Sequence, residues 1–264
     1  MEINRSNIFD LVNKCSVKPD KDYGQNFLVE PEIAKKIVDA LELKKEDNVL
    51  EIGPGLGSLT HFLYQKCNLG VCDIDSRMID FLKIFYKEDI NFILNDVRKI
   101  DVGGYNKIIG NLPYNITTEL VTFLLLNSDA EKMVLMCQSE AFNRFYDLSG
   151  EDYGPVSILL HLLGTSKKVL TVKPGSFYPA PKCNSLVFVF DKSPKVDKQT
   201  AIEVYKMSKT IFLNRRKTIL NSLSSVTGKE KAISILNELS IAENRRPETI
   251  SPEEYLQIYL RIKN

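Results

Sequence analysis

The stretch Glu51-Ile52-Gly53-Pro54-Gly55-Leu56-Gly57 decides the fold that the sequence predicts. Its first two residues end a run at residues 48–52 that predicts a strand, and its glycines lead into a segment with helical spacing at residues 58–66. Glycines at such a junction let the backbone turn tightly and approach a ligand closely. The spacing is G-x-G-x-G, because Ser58 stands where a G-x-G-x-x-G loop has its third glycine. This difference disfavours an NAD-type pyrophosphate loop.

The alternation of strands and helices continues on the C-terminal side of this loop. Further strands are predicted at residues 69–74, 91–94, 107–109 and 133–136, and helices at residues 58–66, 76–87 and 117–126. Strands that alternate with helices indicate βαβ units, and therefore an α/β fold with a doubly wound, Rossmann-like parallel sheet. Sheets of this kind bind their ligands at the carboxyl ends of the strands.

The alternation changes in the second half of the chain. A helix is predicted at residues 153–163, then two antiparallel strands at 168–172 and 186–190 around a Pro-rich loop, and helices alone after Pro194. We therefore expect a catalytic domain at residues 1–194 and a small helical domain at 195–264, with the boundary between Asp191 and Lys198. Residues 191–264 carry 14 basic and 9 acidic side chains, against 21 and 25 in the rest. Such asymmetry is typical of a chain whose one part meets a polyanion, although a solvated surface would also produce it.

Several classes of protein are disfavoured by composition. No apolar run approaches the length that spans a bilayer, and residues 1–10 lack the apolar segment of a signal peptide. The chain has five cysteines without a C-x-x-C pair, and two histidines. Neither a metal site nor a His-centred triad is expected from this set. The sequence predicts a cytoplasmic protein that needs no metal and no membrane.

Acidic residues follow two of the predicted strands. Asp73 and Asp75 come at the end of the strand at 69–74, and Asp96 follows the strand at 91–94. A carboxylate at the end of the strand at 69–74 can accept hydrogen bonds from both hydroxyls of a ribose. Asp96 can accept from an adenine amine while the Val97 N–H donates to the ring. Together with the glycine loop, these strand ends suit a nucleoside such as S-adenosylmethionine.

The segment Gly110-Asn111-Leu112-Pro113-Tyr114 follows the next strand, at the same edge of the sheet. The N6 amine of adenine is a poor nucleophile because its lone pair is delocalised into the ring. Acceptors such as the Asn111 side-chain oxygen and the Leu112 carbonyl would oppose that delocalisation. Pro113 holds Leu112 in an extended conformation, and Tyr114 offers a face for stacking. Taken alone, the segment is also compatible with a simple proline turn.

Four segments of the sequence carry the remaining evidence: Tyr23-Gly24-Gln25-Asn26-Phe27-Leu28, residues 110–116 (G-N-L-P-Y-N-I), residues 177–182 (F-Y-P-A-P-K) and residues 212–218 (F-L-N-R-R-K-T). They resemble the motifs of a known family, the ribosomal RNA small-subunit adenine dimethyltransferases. The resemblance runs from Asp22 to Leu223, with Asp73 in place of the usual Glu.

The resemblance implies a class I methyltransferase that uses S-adenosylmethionine to place two methyl groups on each of two adjacent adenines near the 3′ end of the RNA in the 30S subunit. The expected cofactor-binding residues are Asn26, Leu28, Gly53, Gly55, Asp73, Ile74, Asp96, Val97 and Asn111. The expected catalytic residues are Asn111, Leu112, Pro113, Tyr114 and Phe177, with Phe177 stacking on the flipped adenine.

A basic cluster is the expected contact to RNA. It comprises Lys182, beside the Phe177 loop, and Arg215, Arg216 and Lys217, which the motif places at the start of a helix. The helix macrodipole opposes cations at a helix N-terminus, so bound phosphate would explain why they are there.

Three alternative functions are open at this point. A large-subunit adenine methyltransferase of the antibiotic-resistance type has similar cofactor motifs, but the Phe177 loop and the basic cluster favour the small-subunit enzymes. A non-catalytic nucleic-acid binder is disfavoured by the intact residues 111–114. An NAD-dependent dehydrogenase is disfavoured by the glycine spacing. Nothing in the sequence calls for more than a monomer.

Overall fold

The computed structural model describes residues 2–14, 19, 25–86 and 89–263. Asp22, where the family resemblance begins, lies outside these residues, as do Tyr23 and Gly24 of the first motif and Lys87 at the end of a predicted helix. All the cofactor-binding, catalytic and RNA-contacting residues predicted above are described.

Strands and helices alternate over much of the described chain. The strands are β1 (Phe27–Leu28), β2 (Asn48–Ile52), β3 (Asn68–Asp73), β4 (Ile90–Leu94), β5 (Lys107–Asn111), β6 (Lys132–Gln138), β7 (Gly164–Val172), β8 (Phe177–Tyr178) and β9 (Ser185–Lys192). The helices are α1 (Ile8–Lys14), α2 (Pro31–Asp39), α3 (Thr60–Leu63), α4 (Ser76–Phe85), α5 (Thr117–Asn127), α6 (Ser139–Tyr146), α7 (Pro155–Leu163), α8 (Lys198–Phe212), α9 (Ile219–Thr227), α10 (Lys229–Glu238) and α11 (Pro252–Lys263).

One seven-stranded sheet organises the first part of the fold, with the order β4-β3-β2-β5-β6-β9-β7. The strands β2, β3, β4, β5 and β6 run parallel to their neighbours, and β9 pairs antiparallel with β6. The order reverses at β2, which has β3 on one side and β5 on the other. Such a reversal opens a crevice at the carboxyl ends of the strands. The predicted doubly wound α/β sheet is confirmed.

Apolar side chains from the helices and the sheet form the main core. Helix α2 starts with Pro31, whose missing N–H would have no partner in the first turn, and it buries Ala34, Ile37 and Val38. These side chains belong to the same buried cluster as Val49 of β2. Continuous apolar strands that are covered on both faces are the pattern expected of a parallel sheet.

The chain divides into two compact units. The first comprises Met1–Phe142 and Lys167–Asp191, and the second comprises Asn143–Ser166 and Lys192–Asn264. Within the second unit, the Tyr153 hydroxyl donates to the Ile250 carbonyl at 2.8 Å, and its ring meets Phe212 edge-on at 5.9 Å. Helix α7 is thus grouped with the C-terminal helices. The functional division at residues 194 and 195 remains a prediction.

The structure departs from the predicted elements in the segment after the glycine loop. The helix predicted at residues 58–66 is a single turn, α3, because the backbone of Tyr64 is extended and Gln65 takes a positive φ of 61°. The helix predicted from Tyr153 begins at Pro155. Helices α1, α2 and α6 and the two-residue strands β1 and β8 were not predicted.

No described helix is both long enough and apolar enough to cross a membrane. Nor do the described residues bring together three or more side chains in a group that could hold a metal ion. The expectation that the protein works without a metal stays a prediction.

Candidate active site

A cavity lies at the carboxyl ends of β2, β3, β4 and β5, and we call it the strand-end pocket. Its lining includes Gly53, Asp73, Asp96 and Asn111, which stand at or just after the ends of those four strands. Residues far apart in sequence are therefore brought to one place, as the sheet topology predicts. Leu28, Gly55, Ile74, Val97 and residues 112–114 also line this pocket.

The glycine loop is shaped for close approach by a ligand. Gly53 and Gly55 have φ values of +66° and +55°, in the left-handed region that side chains disfavour. A Cβ atom at Gly55 would lie 2.9 Å from the ring of Phe27. Gly55 thus leaves room for Phe27 to pack against the loop. Both glycines also line the strand-end pocket without a side chain, which suits the amino-acid tail of a nucleoside cofactor.

The segment Gln25–Leu28 closes against the strand ends with one contact from each residue. The Asn111 amide nitrogen donates to the Asn26 carbonyl at 3.1 Å, and the Gln25 amide donates to Asp75 at 2.9 Å. The ring of Phe27 covers Gly55, and the Leu28 carbonyl accepts from the Ser58 hydroxyl at 2.5 Å. The expected placement of Asn26 and Leu28 beside the pocket thus has a hydrogen-bonded basis.

The two acids after β3 differ in their surroundings. Burial raises the pKa of Asp73 to about 6, and its Oδ1 accepts from the Asp75 N–H at 2.9 Å. Asp75 is buried as the N-cap of α4, where it accepts from the N–H and the guanidinium of Arg77. Burial tends to raise the pKa of Asp75, but these bonds and that from Gln25 outweigh it and lower the pKa. Asp73 lines the strand-end pocket beside the exposed Ile74, whereas Asp75 is not part of its lining.

Asp96 is held by an arginine that the sequence reasoning missed. Its carboxylate caps the short helical turn at Val97–Lys99 and pairs with the Arg98 guanidinium at 2.5 Å. The hydrogen bonds from Arg98 lower the pKa of Asp96, with burial acting against them. Arg98 also reaches Glu119 of α5 at 2.5 Å. Asp96 is therefore charged and fixed in orientation at the pocket wall.

The Asn111–Tyr114 turn is tied to its neighbours at every position. The Leu112 N–H donates to the Met136 carbonyl at 2.9 Å, which continues the β5–β6 pairing by one residue. The Pro113 carbonyl accepts from the Thr117 hydroxyl at 2.9 Å. Tyr114 shares a 2.6 Å hydrogen bond with the Ser185 hydroxyl of β9, and burial raises the pKa of Tyr114. The turn is thus a rigid part of the pocket.

Phe177 does not line the strand-end pocket in this structure. It is 4% exposed, belongs to the main core cluster, and pairs with Leu28 in the antiparallel β1–β8 ladder. Its neighbour Tyr178 is half-buried and meets Phe9 edge-on at 4.8 Å. The expected stacking of Phe177 on a base would require its ring to leave the core.

The basic cluster is placed differently from the expectation. Helix α8 ends at Phe212 and α9 begins at Ile219, so Arg215, Arg216 and Lys217 lie in the turn between them, which we call the basic turn. The prediction that they form the start of a helix is wrong. The C-terminal dipole of α8 favours cations in this turn, whereas the N-terminal dipole of α9 opposes Lys217, which directly precedes the N-cap Thr218. The two effects oppose each other, so the macrodipole no longer argues that phosphate must retain these cations.

The members of the basic turn also differ in availability. Arg215 is half-buried, donates to the Gly150 and Glu151 carbonyls, and lies over the Phe212 ring at 6.0 Å. Arg216 and Lys217 are exposed, and Lys182 is exposed in the first unit. Arg215 has a structural role inside the second unit, whereas the other three present charge to solvent.

The sheet order and the strand-end pocket define the class of protein, a class I methyltransferase fold with a nucleoside site. Residues 17–264 match the family described as ribosomal RNA adenine dimethylase. The chain belongs to this family of S-adenosylmethionine-dependent enzymes, as the motifs in the sequence predicted.

The relatives extend over nearly the whole chain. The ribosomal RNA small subunit methyltransferase A of Malacoplasma penetrans is 37% identical, covering 94% of this chain and 93% of its own. A probable enzyme of the same name from Thermococcus gammatolerans is 34% identical, covering 97% and 95%.

Two solved structures share the fold. A dimethyladenosine transferase from Plasmodium falciparum aligns with a TM-score of 0.75 and 25% identity, covering 90% of this chain and 97% of its own. The 23S rRNA methyltransferase ErmE aligns with a TM-score of 0.70 and 22% identity, covering 90% and 100%. The likeness to ErmE concerns the fold alone.

Proposed function

We propose that this protein transfers methyl groups from S-adenosylmethionine to the N6 atoms of two adjacent adenosines near the 3′ end of small-subunit ribosomal RNA. The observation that carries the proposal is the position of Asn111. Asn111 is the last residue of β5 and lines the strand-end pocket. Its side-chain N–H donates a hydrogen bond to the Asn26 carbonyl, so its side-chain oxygen is available to accept from a substrate amine. The names of the relatives support the choice of RNA.

The pocket residues fit the cofactor by their chemistry. The bare backbone at Gly53 and Gly55 would take the amino-acid tail, together with Asn26 and Leu28. Asp73 and Ile74 would hold the ribose, and Asp96 with the Val97 N–H would read the adenine ring. The bound cofactor supplies a methyl group on a sulfonium, so positioning and polarisation of the acceptor amine suffice without a strong base.

The Asn111–Tyr114 turn would then act on the acceptor. The Asn111 side-chain oxygen and the Leu112 carbonyl would accept hydrogen bonds from the two N6 hydrogens and keep the nitrogen lone pair out of the ring. Pro113 would hold the Leu112 carbonyl in place, and Tyr114 would support the base. A rigid turn is favourable here, because small misplacements of reacting groups are costly.

RNA contact is assigned to the exposed cations Lys182, Arg216 and Lys217, with Arg215 holding the basic turn from within. Phe177 would stack on the flipped adenine after its ring leaves the core. The proposal includes action on the 30S particle, a cytoplasmic location, a monomeric state and no requirement for a metal.

The test uses 30S particles that lack the methyl groups, incubated with the purified protein and S-adenosylmethionine. Mass mapping of the RNA should find N6,N6-dimethyladenosine at two adjacent positions near the 3′ end. The matched arm offers unmethylated 50S particles, which should stay unmodified. Methylation of the 50S particles alone would favour the large-subunit alternative and contradict the proposal.

A further inference from the structure

The carboxyl group of Glu51 is a buried acid that the proposed methyl transfer does not use. Glu51 lies in β2, one residue before the Ile52 that ends it, is 1% exposed and lines the strand-end pocket. Its Oε2 accepts a hydrogen bond from the Thr60 hydroxyl at 2.7 Å. Its Oε1 is buried and has no hydrogen-bond partner among the described residues. An ionised carboxylate in such a position is costly, because one oxygen has lost water without gaining a donor.

The titratable groups close to Glu51 do not favour its ionised form. Asp73 carries the same charge, whereas Cys67 and Tyr86 are neutral acids whose own pKa values are raised by burial. Burial is the main effect on Glu51 and raises its pKa to about 8, although the hydroxyl and the N–H of Thr60 act in the opposite direction. No cation among the described residues is paired with it. The described residues therefore give Glu51 no counter-charge, and a cationic ligand in the strand-end pocket would supply one.

We propose that Glu51 is uncharged in the free protein and ionises when a cationic ligand occupies the strand-end pocket, so that cofactor binding releases its proton. The inference rests on the proposed function, because S-adenosylmethionine brings both a sulfonium and an ammonium group. The O–H bond of the Glu51 carboxyl breaks and the proton passes to the buffer. The positive charge of the ligand replaces it, and no other bond changes.

Isothermal titration calorimetry at pH 7 in buffers of different ionisation enthalpy counts the protons released. At this pH Asp73 is largely ionised and Glu51 largely protonated, so the count reports mainly on Glu51. The wild-type protein should release most of one proton per S-adenosylmethionine bound, or about 0.9 if ionisation is complete. The neutral nucleoside 5′-methylthioadenosine should release almost none.

Variants separate Glu51 from other sources of protons. Glu51→Gln should abolish the release, whereas Cys67→Ala, which changes a neighbouring acid, should retain it. Thr60→Val removes the hydrogen bond that lowers the pKa of Glu51, so the pH at which release fades should move upward. The Thr60→Val variant keeps the test decisive if Glu51→Gln fails to fold.

Three outcomes would overturn the inference: tight binding without proton release, equal release by Glu51→Gln, or an unchanged pH profile in Thr60→Val. Failure of S-adenosylmethionine to bind the wild-type protein would instead overturn the proposed function on which the inference rests.

Discussion

Asn111 is the residue whose side chain we expect to contribute most to methyl transfer. It is the last residue of β5, its backbone is fixed by pairing with Met136, and its amide nitrogen is held by Asn26. These contacts orient the side-chain oxygen before any substrate arrives. Groups that are preorganised in this way typically contribute most of their effect in the transition state.

Replacement of Asn111 by Ala should therefore lower kcat by about 100-fold or more, as loss of one preorganised hydrogen-bonding group does elsewhere. The variant should keep its thermal unfolding temperature, and its affinity for S-adenosylmethionine should fall much less than its kcat. Single-turnover methyl transfer to 30S particles and calorimetric binding measure the two effects. Full activity of the variant would refute the proposed role at N6.

The burial of Glu51 also leads to a prediction about the stability of the fold, which is separate from ligand binding. Its pKa is about 8 in the folded protein and ordinary in the unfolded chain, so the unfolded state loses this proton first as the pH rises. The contribution of protonated Glu51 to the free energy of unfolding is therefore fully present below about pH 4.5. It decreases by about 1.4 kcal/mol per pH unit as the pH rises from there to about 8. Denaturant unfolding should show Glu51→Gln gaining stability over the wild type across this range, and a constant difference would contradict the buried, protonated state.

Some of these site residues could be predicted from the sequence and others could not. Asp73 and Asp96 could be found because they follow predicted strands, and the sheet brings strand ends together. Arg98, Ser185 and Thr60 could not be found, because their roles depend on which side chain each meets across the fold. Glu51 is part of the stretch that decided the fold, yet its burial with an unpartnered oxygen is visible only in three dimensions.

At the level of elements, the main strands of the parallel sheet were predictable and the short connections were not. β2 was predicted at its observed bounds, because Val49, Leu50 and Ile52 give a β-branched and apolar run directly before a glycine turn. The strands β1 and β8 have two residues each, which is too few for any periodic signal. Their pairing depends on segments about 150 residues apart in sequence, and it is this pairing that buries Phe177.

The burial of Phe177 allows its two possible roles to be separated. Phe177→Leu retains an apolar side chain for the core but removes the aromatic face. The unfolding temperature should therefore change little, while methyl transfer to 30S particles should fall about tenfold, as expected for loss of base stacking worth about 1–3 kcal/mol. A variant with lower stability and normal activity would mean that Phe177 serves the core alone.

The basic turn offers a second prediction at this scale. Arg216→Glu combined with Lys217→Glu should weaken binding to 30S RNA by more than tenfold at low salt and flatten its salt dependence, because fewer counterions are released. Affinity for S-adenosylmethionine should be unchanged. Lys229→Glu combined with Lys263→Glu is the matched control, since it makes the same change in net charge at two other exposed sites of the second unit.

Arg215 should behave differently from its two neighbours. Because its guanidinium is bound to the Gly150 and Glu151 carbonyls, Arg215→Glu should lower the unfolding temperature, and the exposed pair should not. Equal RNA affinity of the Arg216/Lys217 variant and the control variant would show that the basic turn does not contact RNA.

For the whole molecule, composition and motifs supported the class of enzyme but not the grouping of its helices. The sequence shows one change of pattern near residue 194, whereas the chain passes between the two compact units three times, with residues 143–166 joining the C-terminal helices. The reason is that α7 is apolar on most sides, and an apolar helix can be buried in either unit. The charge asymmetry of the sequence could not identify the cations available to RNA either. It does not distinguish side chains that are bonded within the fold, such as Arg215, from those that are exposed.

The position of β9 has a consequence for how the protein is made. β9 enters the sheet between β6 and β7, and its Ser185 completes the hydrogen bond to Tyr114. During synthesis one edge of the apolar strand β6 therefore stays unpaired until β9 has been made. The ribosome must add 54 residues after Gln138 to reach Lys192, the end of β9. At synthesis rates of about 5–20 residues per second, this lasts roughly 3–11 s. An unpaired edge of this kind invites association with other chains, so a nascent chain stalled within this window should be prone to aggregate and to occupy chaperones.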